Sequence, residues 1–231
     1  MITISELAFR YHGCGPDASS SFGMCVDSFS VPQGSSTALV GPSGSGKTTL
    51  LGLIAGTLRG ESGRINVNDQ TITDFNDGDL GRFRIGNIGQ VFQAFELLSY
   101  LTVSENVMLP WYISGNGRKD DIRKRATDLL CGVGLESKLD ARPGELSQGE
   151  QQRVAVCRAM LNNPRVLLAD EPTGNLDQEN KQNVVDLLVE QATQNNSTLL
   201  MVTHDESLLA KFDAVLDMRN VAQPFDDQRQ R

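Results

Sequence analysis

One glycine-rich segment near the start of the chain has the residue types and spacing that bind phosphate. It matches the pattern G-x-x-x-x-G-K-[ST] between a short apolar strand and a helix. Its glycines let backbone N–H groups point at an anion, and the helix N-terminus adds partial positive charge. Lys47 would contact the β- and γ-phosphates, and the Thr48 hydroxyl would contact Mg²⁺. An ordinary glycine-rich turn is the alternative, but both flanks and the lysine favour a nucleotide-phosphate site at Gly41-Pro42-Ser43-Gly44-Ser45-Gly46-Lys47-Thr48.

A second set of chemical groups follows an apolar strand predicted at residues 166–169. The strand ends in two carboxylates, Asp170 and Glu171. Because ligands bind at the carboxyl ends of parallel strands, both carboxylates would face the phosphate site. Asp170 would hold Mg²⁺ through water, and Glu171 would polarise the attacking water as a general base. Alone, this segment would indicate an acidic turn; paired with the phosphate loop, it indicates nucleotide hydrolysis.

A third segment, residues 146–153, introduces a helix. Ser147 precedes Glu150 by three residues, which is the spacing of a capping box. After the N-terminus of the helix that follows the phosphate loop, this is the second helix N-terminus in the chain that could bind phosphate. By itself this pattern indicates only a capped helix. With the other two motifs, in this order, the chain resembles the nucleotide-binding domains of the ATP-binding cassette (ABC) family, and residues 146–150 match the family's signature element. The resemblance extends from Tyr11 to Met218.

This resemblance implies ATP and Mg²⁺ as cofactors, ATP hydrolysis as the activity, and roles for further residues. Tyr11 matches the aromatic that stacks on adenine, and Gln93 matches the glutamine that senses Mg²⁺ and the membrane partner. Asp177 matches the aspartate that links two sites across a dimer, and His204 matches the switch histidine that contacts the γ-phosphate. The implied catalytic residues are Glu171, His204, Lys47 and Gln93, the implied metal ligands are Thr48, Gln93 and Asp170, and the implied nucleotide-binding residues are Tyr11, Gly41 to Thr48, Thr49, Ser147, Gly149 and Asp177.

Each residue outside the three main motifs has a structural alternative. Tyr11 could pack on a sheet as a strand aromatic, and Gln93 could be a solvated turn residue. Asp177 could cap the following helix, alone or in addition to its role at the dimer. His204 could be structural, although its position after the other motifs favours function.

One position departs from the family's pattern. Gln148 stands where the signature element usually has a glycine. Its side chain could crowd the approach to the opposite subunit's phosphate, or it could project away. Ser147 and Gly149, the residues expected to bind, are retained, so we expect a working site.

The order of strands and helices predicts an α/β fold with the P-loop NTPase core of an ABC ATPase. We expect a mixed, mainly parallel sheet, an antiparallel β subdomain and an inserted helical subdomain. Alternation of apolar and polar residues predicts the first strand at residues 2–11, and residues 12–16 break it. The other predicted strands are at 26–31, 36–40, 166–169, 198–203 and 214–218, and the predicted helices are at 47–55, 103–113, 119–131, 148–161, 178–194 and 206–211.

The expected domain organisation follows from these elements. Residues 1–222 would form one ABC ATPase domain. Within it, residues 1–94 and 165–222 would form the core with the β subdomain, and residues 95–164 the helical subdomain. Residues 223–231 are polar and without periodicity, which predicts a frayed tail.

Composition narrows the class of protein further. The 231 residues carry a formal net charge of −8, which argues against a nucleic-acid partner because counterion release needs clustered Lys and Arg. The four cysteines are scattered, so free and mostly buried thiols are favoured over disulfides, and the two histidines are far apart, which disfavours zinc. No apolar run reaches the roughly 20 residues that span a bilayer, and no signal-peptide pattern opens the chain. We therefore expect a cytoplasmic protein, peripheral on the inner face of the cell membrane through a partner.

The resemblance also implies the assembly. ABC domains sandwich two ATP molecules between two copies, so we expect a homodimer with an integral membrane permease subunit as partner. The segments 95–110 and 172–177 are similar to the ATPases of the lipoprotein-release and macrolide-export group. Residues 97–101 would form the groove for a coupling helix, or would serve internal packing. The alternative is a soluble ABC ATPase acting on a nucleic acid, a ribosome or an assembly scaffold; the spacing of the motifs leaves no room for the long coiled coil of the DNA-repair type.

Overall fold

The computed structural model describes residues 1–11 and 22–225, and its strands form two sheets. The first sheet is antiparallel, with strand order β10-β2-β1-β4-β5. In it, β1 pairs with both β2 and β4. The strands are β1 (Ile2–Arg10), β2 (Gly23–Val31), β4 (Ser62–Val67), β5 (Gln70–Thr71) and β10 (Gln223–Pro224).

A register shift keeps one face of β1 buried along its whole length. The shift against β4 lies between Ser5 and Ala8, and Glu6 adopts a left-handed backbone with φ 50°. Gly63 of β4 crosses this point so closely that a Cβ there would lie 2.4 Å from the Glu6 carbonyl oxygen, so only glycine fits. The large buried side chains of β1 are Ile2, Ile4, Leu7 and Phe9.

The second sheet is parallel and has strand order β6-β7-β8-β3-β9. Its central strands β7 and β8 are buried on both faces, which explains their continuous apolar sequences. The carboxyl ends of β3, β7 and β8 meet at one edge, where the candidate site forms. The strands are β3 (Ser36–Val40), β6 (Ile88–Val91), β7 (Val166–Asp170), β8 (Thr198–Val202) and β9 (Ala214–Asp217).

Seven α-helices are described. A core between the two sheets buries one face of the first helix through Leu50, Leu53 and Ile54. A second core covers the other face of the parallel sheet, and three further helices pack around a third core of their own. The helices are α1 (Lys47–Ile54), α2 (Asp77–Asn87), α3 (Val103–Ser114), α4 (Lys119–Gly132), α5 (Gln148–Met160), α6 (Gln178–Gln194) and α7 (Met218–Val221).

The α/β fold class with its antiparallel sheet and its cluster of helices is confirmed. The segment Glu206–Lys211 is a 3-10 helix, where an ordinary helix was predicted. The elements β4, β5, α2, β6 and α7 were not predicted. The division into subdomains at residues 95 and 164 stays a prediction, and no helix in the described part of the chain is long and apolar enough to cross a membrane.

The prediction of a frayed tail from residue 223 is wrong for its first residues. Gln223 and Pro224 pair with Cys25 and Met24 of β2, because the open edge of β2 offers unpaired backbone groups. Phe225 continues this contact, and its ring lies 4.5 Å from the guanidinium carbon of Arg10. Residues 226–231, the break at residues 12–16 and Cys14 lie outside the described residues.

Of the other three cysteines, Cys25 and Cys157 are buried and Cys131 is exposed. Burial raises the pKa of the Cys157 thiol to about 12, so this thiol stays protonated.

Candidate functional site

The phosphate loop connects β3 to α1, and its backbone requires glycine at two positions. Gly44 and Gly46 have φ values of 77° and 94°, in the left-handed region that side chains disfavour. A Cβ on Gly46 would lie 2.7 Å from the Phe22 ring and 2.9 Å from the sulfur of Met24. The Phe22 ring and the Met24 sulfur therefore pack directly against the backbone of Gly46.

Inside the loop lie donors that suit a phosphate group. The Lys47 side chain is buried, and its ammonium donates to the carbonyl oxygens of Gly41 and Pro42, each at 2.9 Å. The Ser45 hydroxyl is buried and has no hydrogen-bond partner among the described residues. A lysine ammonium and an unpaired hydroxyl beside the N-terminus of α1 fit an anion.

The end of β7 supplies oxygen ligands. The Thr48 hydroxyl donates a hydrogen bond to the Asp170 carboxylate. Burial raises the pKa of Asp170 above its usual value, with a smaller contribution from Glu171, while the Thr48 hydrogen bond and Lys47 oppose the shift. A hydroxyl and a carboxylate side by side are the hard donors that Mg²⁺ prefers, so this pair fits the metal.

Glu171 and His204 approach each other at the same edge of the sheet. Glu171 has a left-handed backbone with φ 44°, and its N–H donates to the Val202 carbonyl of β8 at 3.1 Å. The His204 Nδ1 atom lies 3.4 Å from a carboxylate oxygen of Glu171. The strained backbone of Glu171 is a feature found at functional sites, and this residue lines a pocket together with the phosphate loop.

Of these groups, Lys47, Thr48 and Glu171 line one pocket of about 260 Å³, whereas Asp170 and His204 are not among the described residues of its lining. Loop residues, Thr49 and Glu171 line it together with two aromatic side chains, Tyr11 and Phe22. Tyr11 contacts Phe9 edge to face at 4.8 Å, and its hydroxyl lies 3.4 Å from that of Thr49. Tyr11 thus packs as a strand aromatic and also lines the pocket.

Phe22 is a site residue that the sequence did not indicate. The Tyr11 N–H donates to the Phe22 carbonyl at 3.0 Å, and the two ring centroids are 6.3 Å apart. The predicted second strand began at residue 26, whereas β2 begins at Gly23. A second strand predicted to begin at residue 23 would have placed Phe22 opposite Tyr11.

Gln93 lies beside the segment that follows Glu171. Its carbonyl accepts from the Asn175 side chain at 3.4 Å, and a Cβ on Gly174 would lie 2.8 Å from the Gln93 amide nitrogen. Gln93 is exposed and is not among the described residues that line the phosphate pocket. Gln93 therefore contacts Gly174 and Asn175, which follow β7 and Glu171 in the chain.

The signature residues form a separate group. Ser147 caps α5 and shares a capping box with Glu150. Gly149 is buried against α6, because a Cβ there would lie 2.7 Å from the Asn180 side-chain oxygen. Asn180 in turn donates to Asp177, which caps α6. Within residues 1–11 and 22–225, the lining of the phosphate pocket includes neither the two signature residues nor Asp177.

Gln148 is exposed at the first position of α5, while its neighbour Gly149 is buried. Its side chain therefore does not enter the packing between Gly149 and Asn180.

The parallel sheet, the phosphate loop after β3 and the carboxylates at the end of β7 define a P-loop ATPase of the ATP-binding-cassette type. A model of the family described as ABC transporter matches residues 26–174. The chain belongs to the ABC transporter family, in which it is an ATP-binding and ATP-hydrolysing subunit.

Known relatives agree with this assignment. The protein LolD of Psychrobacter arcticus, named a lipoprotein-releasing system ATP-binding protein, is 44% identical over 190 residues, which are 82% of this chain and 84% of LolD. The ABC transporter ATP-binding protein YtrE of Bacillus subtilis is 40% identical over 181 residues, 78% of each chain. The dimeric structure of the ATP-binding cassette MJ0796 in a post-hydrolysis state with ADP and Pi has a TM-score of 0.81 at 31% identity and covers 94% of both chains. The expected family, fold and ATPase activity are confirmed.

Proposed function

We propose that this ATPase works as a homodimer on the inner face of the cell membrane. ATP would close the two copies onto each other, and hydrolysis would release them, so that an integral membrane permease subunit exports or extracts its substrate. The similarity to LolD, a lipoprotein-releasing system ATP-binding protein, supports the release type of transport. The formal net charge of −8 supports a protein partner rather than a nucleic acid.

The observation that carries this proposal is the separation of the two groups of site residues. The phosphate loop and Glu171 line one pocket, whereas Ser147 and Asp177 are exposed at the starts of α5 and α6, outside its lining. An exposed helix N-terminus offers backbone N–H groups to an anion. A second copy of the chain would present its Ser147 and Gly149 to the phosphates held by the first.

Within the site, the roles of the side chains follow from their chemistry. Lys47 would turn from its loop carbonyls to the β- and γ-phosphates, and the loop N–H groups would bind the same oxygens. Glu171 would accept a proton from the attacking water, and the adjacent His204 would contact the γ-phosphate. Thr48, Asp170 and Gln93 would hold Mg²⁺. Bound Mg²⁺ would neutralise charge on the phosphate oxygens.

The permease subunit would dock beside Gln93. Leu97, Leu98 and Leu101 are half-buried in the segment that follows it, and the neighbouring Tyr100 is 69% exposed. Partly exposed apolar side chains beside a site residue suit the end of a helix from a partner.

Steady-state ATPase assays of the purified chain test the site. Lys47→Ala should lower kcat/KM at least about a hundred-fold, because the γ-phosphate loses its charge partner. Glu171→Gln should retain ATP binding and lose turnover by about a hundred-fold or more, because an amide cannot accept the proton. Lys124→Ala removes an exposed lysine on α4 and serves as the control. Undiminished hydrolysis by Lys47→Ala would refute the site assignment.

A further inference from the structure

The segment that follows Gln93 contains a strained stretch of backbone. Phe95 and Glu96 are consecutive, neither is glycine, and their φ values are 59° and 52°. Left-handed backbone at two adjacent side-chain-bearing residues costs free energy and persists only where the surroundings hold it. Contacts with residues outside this segment must therefore stabilise its conformation.

One arginine of α5 binds this stretch. The Arg158 guanidinium donates to the Glu96 carbonyl and, at 2.7 Å, to the Phe95 carbonyl. Arg158 is half-buried in the last turn of α5, and burial lowers its pKa, with an opposing contribution from Glu96. The planar fork of an arginine presents its donors in fixed directions to two neighbouring carbonyls, whereas the rotatable donors of a lysine ammonium hold such a pair less firmly.

The far end of the same segment is held by α3. The Asn106 side chain is fully buried, accepts from the Leu98 N–H at 2.8 Å and donates to three carbonyl oxygens nearby. These are the carbonyl oxygens of Leu98, Leu101 and Thr102. The segment is thus bound to the helical part of the molecule at both ends, while Gln93 in front of it contacts Gly174 and Asn175 on the catalytic side.

Helix α5 connects the segment that follows Gln93 to the signature group. Its first turn carries the signature group, with Ser147 as the cap, and its last turn carries Arg158. A continuous helix of 13 residues moves as one body. Any shift of the backbone at Phe95 and Glu96 would therefore displace α5, and with it the signature group.

We infer that Arg158 is a positioning residue that ties the backbone after Gln93 to the signature helix, so that the Gln93 segment and Ser147 move together. The inference rests on the proposed function of the site. Arg158 is not among the described residues that line the phosphate pocket, so its loss should affect turnover and leave ATP binding unchanged.

The chain offers a matched control in Arg125 of α4. Arg125 is also half-buried, burial lowers its pKa, and its guanidinium donates to two backbone carbonyls, those of Leu161 and Met160, at 2.6 and 3.0 Å. Its described hydrogen bonds go to the end of α5 and to the Asn163 side chain, not to the Gln93 segment. A purely structural role would make the two arginines equivalent.

The test compares Arg158→Gln, Arg158→Lys and Arg125→Gln in the full chain. For each we would measure the Kd for ATP, kcat at saturating ATP and the denaturation midpoint. Arg158→Gln should lower kcat by about three- to thirty-fold at an unchanged Kd, the range expected for residues that couple sites. Arg158→Lys should be intermediate, and Arg125→Gln should lower the midpoint while keeping kcat within about two-fold of wild type.

A double variant with Gln93→Ala adds a second criterion. If Arg158 acts through Gln93, the loss of kcat in the Arg158→Gln/Gln93→Ala pair should be smaller than the product of the two separate losses. Wild-type kcat in Arg158→Gln, an equal loss in Arg125→Gln, or failure of Arg158→Lys to fold would each overturn the inference. Absence of ATPase activity in the wild-type chain would instead contradict the proposed function.

Discussion

At the scale of single residues, Thr48 and Asp170 show how side chains from separate elements form one site. The Thr48 hydroxyl at the start of α1 donates to the Asp170 carboxylate at the end of β7. The raised pKa of Asp170 means that its ionised form is unfavourable in this half-buried position until a cation binds. Function and stability therefore oppose each other at Asp170.

Replacement of Asp170 by asparagine separates these two effects. Asp170→Asn keeps an acceptor for Thr48 and removes the half-buried charge, so the Tm of the nucleotide-free chain at pH 7 should rise. The same change removes the proposed ligand of Mg²⁺, and kcat should fall about a hundred-fold or more. Calorimetry and ATPase assays on one preparation measure both effects. A lower Tm would contradict the account of Asp170.

Phe22 provides a second prediction at this scale. Its ring packs against Gly46 and lines the pocket with Tyr11. Phe22→Ala should weaken the Kd for ATP about five-fold, the effect of losing about 1 kcal/mol of aromatic contact, with kcat retained. Titration calorimetry measures the change, and Tyr100→Ala, an exposed aromatic outside this pocket, is the control. An unchanged Kd would remove Phe22 from the nucleotide site.

At the scale of elements, helix caps fix the positions of the helical part. Both α3 and α5 begin with a capping box. In α3, Glu105 accepts from the Thr102 N–H at 2.8 Å, and this hydrogen bond holds the pKa of Glu105 below its usual value. The same arrangement at Ser147 and Glu150 orients the signature helix.

The Glu105 cap should appear in the pH dependence of stability. Because the folded state binds the Glu105 proton more weakly than the unfolded state, ionised Glu105 stabilises the fold above the unfolded pKa of about 4.3. That stabilisation is lost as the pH falls through the lower pKa of the folded state. Urea unfolding should therefore find Glu105→Gln less stable than wild type at pH 7 and equal to it at acid pH.

The exposed Glu136→Gln provides the comparison for this experiment. A stability difference between wild type and Glu105→Gln that stays constant from neutral to acid pH would contradict the role given to the ionised cap.

The elements that the sequence predicted are those with strong local patterns. The buried strands β3, β7 and β8 and the amphipathic α6 carry clear periodicity, and α6 has the predicted bounds. Helix α2 contains Gly78, Gly81 and Gly86 and buries only two side chains, so neither propensity nor pattern indicated it. Strand β4 begins with exposed residues and a glycine at a close crossing, which hid it in the same way.

The candidate site likewise contains residues that local sequence patterns predicted and residues that they did not. The phosphate loop and the carboxylates after β7 follow from short contiguous motifs. Phe22 and Asn180 enter through contacts with Gly46 and Gly149, which are far from them in sequence, and such contacts leave no local pattern.

At the scale of the whole molecule, the chain carries two separate groups of site residues. Each group would form half of a complete site. The phosphate pocket contains Lys47 and Glu171, and the signature group contains Ser147 and Gly149. Closure of two copies would bring each pocket against the other copy's signature group, as the exposed ends of α5 and α6 allow. ATP hydrolysis would then depend on dimer formation.

The most direct test of this claim is the mass of Glu171→Gln in solution, measured by sedimentation with and without ATP. Glu171→Gln should trap the closed state, because it binds ATP without cleaving it. We expect the mass to change from 25.2 kDa for one chain to twice that value when ATP is added. Addition of Ser147→Glu, which places a negative charge opposite the phosphates, should prevent the change. A mass that stays at 25.2 kDa at saturating ATP would contradict the shared site.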